Sequence, residues 1–342
     1  MKMNKLLLLL LLLTADFLVV DAKETPETIF LKELQELTLT YGTSTMPLRS
    51  GPYKPVISDE RKAISLRYAL GLPKLWLGLQ TMVYQFLNLN GSFRYKKTML
   101  SYLSQNPALS PAKLLKFFKP LIMSRKFNIQ TGDIVMILPH SYSSLIRAYM
   151  MDSAYSHNDI IFINKNNIPQ VFSITPYGVI KISLARYLCG YFKYMNNFAI
   201  YRYNKKFDKQ LLHKLMNKID IHFNNLYFDE PFVRNTKINN VSSFMEKPTF
   251  YYCTELSYAL YSFVLKNENF TTTQYVSVEQ MIKNREIKTS PIQDFFINYA
   301  KQMETNQQQW IIDPKNFYQS PDFSSTTTYG NTISIKDKFN AE

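Results

Sequence analysis

The sequence predicts an α+β protein, with a helical N-terminal region over residues 23–125 and strands followed by helices over residues 126–325. Three observations carry this. In the first part, apolar residues recur every three or four positions. At about residue 127 the pattern changes to short runs rich in β-branched and aromatic residues, separated by turn residues. Hydrophobic residues make up 46% of the 342, enough for a sizeable core in one or two domains.

Taken in order, the chain opens with "MKMNKLLLLLLLLTADFLVVDA". Lys2 and Lys5, the leucine run Leu6–Leu13 and the small residue Ala22 predict a secretory signal over residues 1–22, cleaved near Ala22. Asp16 interrupts the apolar run, so a membrane span of about 20 residues fits poorly. The expected mature protein is exported, secreted or periplasmic. "ETIFLKELQELTLTY" places Ile29, Leu31, Leu34 and Leu37 on a helical stripe. Ser58 opens a second helix candidate and Lys74 begins a third, more apolar one. Ser110-Pro111 starts a fourth helix, which Pro120 should end or kink. "GDIVMILP", "NDIIFI", "QVFSITPYGVIKI" and "FAIYRY" read as strands, and "KKFDKQLLHKLMNKIDIHF" and "CTELSYALYSFVLK" as helices. The region beyond residue 300 is polar and reads as loop, with residues 326–342 expected as a disordered tail.

Forty Lys+Arg against 26 Asp+Glu give a formal net charge of +14, spread along the chain. Such a field favours an anionic surface or acidic partner, or serves solubility alone. No zinc-finger spacing is present and export argues against nucleic acid, so none is expected as a partner. The sequons at Asn90, Asn240 and Asn269 are what chance gives in so Asn-rich a chain. Two cysteines, Cys189 and Cys253, are too few for a disulfide scaffold, although one bond is possible in an oxidising compartment.

Cys253 falls at the start of a predicted helix, where outward backbone N–H groups and the helix dipole favour a thiolate and could bind an oxyanion. The rival reading is a small buried residue. A thiol nucleophile needs a base. Of the four histidines, His213 and His222 read as surface or packing residues and His140 as a loop residue. His157, in "AYSHNDIIFI", stands at the mouth of a strand, where the sheet fixes it and leaves the ring accessible. Neither the histidines nor the two cysteines have a metal-ligand spacing, and no cofactor is implied.

The order of these segments adds to that reading. "TGDIVMI", "YSHNDIIFI", "QVFSITPYGVI", "AIYRY", "NNLYFDEPF" and "FYYCTELSYALY" follow one another, with "IIDPKNFYQSPDF" behind them. Over residues 127–325 this resembles the circularly permuted branch of the NlpC/p60 papain-like superfamily, the YiiX-like proteins. The resemblance implies a permuted papain-like domain, with an antiparallel sheet packed on helices. It makes Cys253 the nucleophile and His157 the general base, with Asp133 and Glu255 at supporting positions. Tyr227 and Asp229 match the family's Tyr-Asp pair only with Phe228 inserted. Permutation explains why the histidine precedes the cysteine, because relinking adjacent termini leaves a packed site intact.

One position departs from the family. The residue orienting the histidine should lie on the following strand, commonly as glutamate, and Ser173 stands there, with Thr175 and Gln170 nearby. Serine can accept a hydrogen bond from imidazole but cannot stabilise an imidazolium as a carboxylate does. The resemblance thus implies a thiol hydrolase acting on amide bonds in peptides, including cell-wall peptides, with acyl lipids as alternative substrates. Two other readings stand beside it: an inactive binding or structural protein that keeps the fold, and a Cys189–Cys253 disulfide.

Overall fold

The computed structural model of the chain describes residues 24–42, 96–141, 144–145, 148–149, 152–175, 178–190, 195–223, 226–228, 249–267, 270–271, 274–275, 310–330 and 332–340. The expected export signal, the helix candidates opening at Ser58 and Lys74, Asp229 and the sequon asparagines Asn90, Asn240 and Asn269 lie outside these residues.

Helix α1, Pro26–Tyr41, begins where the side chain of Thr25 accepts from the Thr28 N–H and Pro26 takes the first helical position. It buries Phe30, Leu34 and Leu37, an i, i+4, i+7 stripe. Helix α2, Lys96–Gln105, is followed by α3, Pro111–Met123, capped by Ser110. Pro120 lies inside α3, and the helix ends three residues beyond it. So late in the helix, proline removes only one interior hydrogen bond and leaves the preceding turns intact. Phe30 of α1 meets Phe118 of α3 edge to face, with ring centroids 4.9 Å apart.

The sheet follows: β1 (Ile134–Pro139), β2 (His157–Ile163), β3 (Pro169–Thr175) and β4 (Gly178–Ser183). A short helix α4, Leu184–Leu188, then leads to β5, Met195–Tyr203. Next come α5 (Lys209–His222), the short parallel pair β6 (Leu226–Phe228) and β7 (Thr249–Tyr251), and α6 (Cys253–Leu265). Strands β8 (Gln274–Tyr275) and β9 (Trp310–Ile311) pair antiparallel before α7 (Pro314–Tyr318), β10 (Phe323–Tyr329) and α8 (Ile335–Asn340). The six long strands form one antiparallel sheet in the order β10-β5-β1-β2-β3-β4. The chain is therefore α+β, as its segregated patterns predict.

Strand alternation divides the core. On one face Met136, Ile160, Phe172 and Ala199 pack with Leu212, Leu215 and Met216 of α5 and with Cys253, Leu256 and Leu260 of α6. On the other, Val135, Ile137, Ile161 and Val171 pack with Phe30, Leu34 and Phe118 of the N-terminal helices and with Leu184, Tyr187 and Leu188 of α4. The described N-terminal helices α1 and α3 thus share a core with the sheet.

The C-terminal residues differ from the expected loop and disordered tail. "FSSTTTY" is strand β10 on the sheet edge, paired with β5, and α8 buries Ile335 and Phe339 beside Met99, Tyr102 and Leu138. An edge strand needs little apolar surface, and β-branched threonines suit it, so its polar composition hid it.

Candidate active site

Cys253 is the first residue of α6, with Tyr252 as N-cap in extended conformation. Glu255 sits at the third helical position, fully buried, and its Oε2 accepts the Tyr252 N–H at 3.4 Å. The Tyr252 hydroxyl accepts the Ile312 N–H at 2.9 Å, tying the helix start to the segment after β9. Glu255 is thus an N-terminal cap that fixes where Cys253 stands.

His157 is the first residue of β2, so Asp159, two residues on, shares its face of the sheet. His157 Nε2 lies 2.8 Å from Asp159 Oδ2 and 3.1 Å from Ser173 Oγ. A second donor, the Tyr187 hydroxyl of α4, reaches the same Asp159 oxygen at 2.6 Å. The Cys253 side chain hydrogen-bonds with His157, across the sheet end from α6. A carboxylate can only accept, so it fixes a proton on Nε2.

The electrostatics follow from this arrangement. Burial is the largest influence on His157 and pulls its pKa down. The charges of Asp159 and Cys253, with their hydrogen bonds, together outweigh it and raise the imidazole to about 10. At neutral pH the histidine is therefore an imidazolium; a cationic neighbour is the setting in which thiols in general lose their proton more readily. Burial first, then the charge and hydrogen bond of Asp159, push the Tyr187 phenol far above its ordinary range, so it remains a donor.

The other residues singled out in the sequence fall elsewhere or play lesser parts. Asp133 precedes β1, its carbonyl accepting the Ile161 N–H, so it lies four residues up β2 from His157, about 13 Å at the strand rise. Both its carboxylate oxygens accept from Arg202, at 2.7 Å each. Burial outweighs that guanidinium and raises the Asp133 carboxyl. Asp133 supports the base of the sheet and lies beyond the reach of His157. Gln170 falls by alternation on the face opposite Ser173. Thr175 ends β3, and Tyr227 lies in β6 opposite Phe250. His140 bonds the Leu103 carbonyl, His213 packs on the Phe162 ring, and His222 closes α5. Cys189 caps the C-terminus of α4, and both cysteines are buried and neither is in a disulfide, so the disulfide reading fails.

The sequence reading looked for the orienting acid on β3 and missed Asp159 on β2. The signal was present in "SHNDIIFI": two positions along a strand is one face, and a buried aspartate there needs a partner.

Fold and site together define an α+β protein in which a helix-start cysteine, a strand-end histidine and a buried aspartate converge. No protein-family model matches the sequence, and no curated protein matches it. Among solved structures, the metalloprotein YiiX (DUF1105) of Escherichia coli O157:H7 is similar, at 16% identity over 60% of this chain and 100% of that one, with a TM-score of 0.40. Among the described residues, no group of three or more His, Cys, Asp or Glu side chains could hold a metal ion, and no helix is long and apolar enough to cross a membrane.

Proposed function

We propose that the chain is an exported thiol hydrolase that cleaves amide bonds in peptides, including cell-wall peptides. One observation supports this above the others: the His157 ring stands between the Cys253 side chain and the Asp159 carboxylate. The Cys253 sulfur attacks the amide carbonyl carbon, and the oxyanion forms beside the first-turn N–H groups of α6, including that of Cys253. His157 holds the thiol proton and passes it to the departing amine as the C–N bond breaks. Water then attacks the acyl-thioester, His157 takes its proton and returns it to the sulfur, and the carboxylic acid leaves. Asp159, assisted by Ser173, orients the ring and balances its charge, supplying the acid that the β3 position lacks.

A second reading, a non-catalytic protein that keeps this site for binding, is favoured by Cys253 being only 3% exposed. One experiment separates the two. The mature protein is incubated with a panel of fluorogenic peptide amides and cell-wall peptides, and the acyl-enzyme is trapped by acid quench and weighed by mass spectrometry. Turnover with an acyl adduct on Cys253, both absent in a folded Cys253→Ala variant, is the expected result. Turnover that survives Cys253→Ala refutes the hydrolase.

A further inference from the structure

Tyr187 belongs to none of the motifs in the sequence, yet its hydroxyl donates to the very Asp159 oxygen that holds His157. A carboxylate bonded to one ring still turns about its terminal torsion. A second donor from another element fixes the angle at which it meets the imidazole. Tyr187 is 2% exposed, so no solvent competes for that bond.

Tyr187 sits on α4, only five residues long and too short to hold its own orientation. What seats it is α1. The hydroxyl of Ser183, the N-cap of α4, donates to Glu33 Oε1 at 2.7 Å, and Arg186 Nε donates to the same oxygen at 2.8 Å. Phe30, Leu34 and Leu37 of α1 lie in one apolar cluster with Leu184, Ala185, Tyr187 and Leu188 of α4. A continuous path of hydrogen bonds and packing therefore runs from α1 through α4 to Asp159 and His157.

We infer that α1 is part of the site's scaffold: Glu33 seats α4, and Tyr187 is a positioning residue that locks Asp159 in line with His157. This rests on the thiol-hydrolase reading, and it gives the first helix a role in the chemistry as well as in the core.

The test is the pH dependence of Cys253 alkylation by iodoacetamide in the folded full chain, followed by peptide mapping to separate it from Cys189. Comparing rates across pH within one protein cancels the cost of opening the buried site. The wild type should label with a midpoint well below the ordinary thiol value of about 8.5. Tyr187→Phe should keep its far-ultraviolet dichroism and shift that midpoint up by about one pH unit, a roughly tenfold slower reaction at pH values below both midpoints. Glu33→Ala should shift it in the same direction and add nothing in the Tyr187→Phe background. A profile unmoved in Tyr187→Phe overturns the inference, and so does an additive double variant, because Glu33 would then act by another route. Should Tyr187→Phe not fold, Glu33→Ala, which keeps the Tyr187 side chain but removes the acceptor that seats α4, carries the same test, with the same expected direction. A wild-type midpoint near 8.5 that His157→Ala leaves unmoved removes the hydrolase reading and this inference with it. A low wild-type midpoint with an unmoved Tyr187→Phe removes this inference alone.

Discussion

Replacing Asp159 by asparagine isolates the charge that the site depends on. The amide oxygen can still accept from His157 Nε2, so the ring keeps a partner and loses only the anion. The two groups are 2.8 Å apart, with side chains 12% and 1% exposed. At an effective dielectric of about 20, opposite unit charges at that separation attract by about 6 kcal/mol before burial is counted. Burial takes much of this back. What remains is a rise of the imidazole from 6.5 to about 10, to which Asp159 and Cys253 both contribute. Asp159 stands first among the influences that raise the ring, so Asp159→Asn should bring the imidazole clearly below about 10. The measurement is a titration of the His157 ring nitrogens by long-range proton–nitrogen NMR from pH 5 to 11, assigned by the loss of its signals in His157→Gln. In the variant the Nε2 proton signal should also broaden, because an amide holds it less firmly. A midpoint that stays near 10 would show that the carboxylate does not govern the ring, and the argument for an orienting acid would fall.

Two further outcomes follow from the same physics. A histidine raised on folding adds stability that is complete below its unfolded value of 6.5 and disappears as pH rises through about 10. The urea midpoint should therefore decline across that interval in the wild type, and His157→Gln should remove most of this slope; an equal slope in the variant contradicts it. Arg202→Ala strands the buried Asp133 carboxylate and should cost about 3–5 kcal/mol in urea unfolding. The labelling profile of Cys253 in the folded variant should be unchanged, whereas a shifted profile would place Asp133 in the site after all.

Local features of the sequence made Cys253 and His157 candidates, and the resemblance paired them. A cysteine opening an apolar helix and a histidine opening a strand are both visible within a dozen residues. Asp159 was legible too, two residues from the histidine. The resemblance places the acid one strand further on, whereas the carboxylate that holds His157 is on the same strand. Tyr187 was beyond reach, since its role depends on a five-residue helix with no periodicity of its own and on Glu33, far away in sequence. The longer helices α1, α3, α5 and α6 and the strands β1–β5 could be read because their apolar spacing records the face they bury. β10 could not, because an edge strand of serine and threonine reads as loop until its partner is known.

The place of β10 has a consequence for how the chain matures. β5 lies between β1 and β10, so one of its edges is unpaired until residues 323–329 have been made and have come back across everything between. Non-local pairings of this kind form late. By then the thiol of Cys253, the histidine of β2 and the helix that steadies them have all been synthesised. During synthesis, then, the open flank of β5 is an exposed hydrogen-bonding edge, a place where a chaperone can hold the chain or another copy can pair with it. Closing it falls to a short run of threonines near the end of the chain.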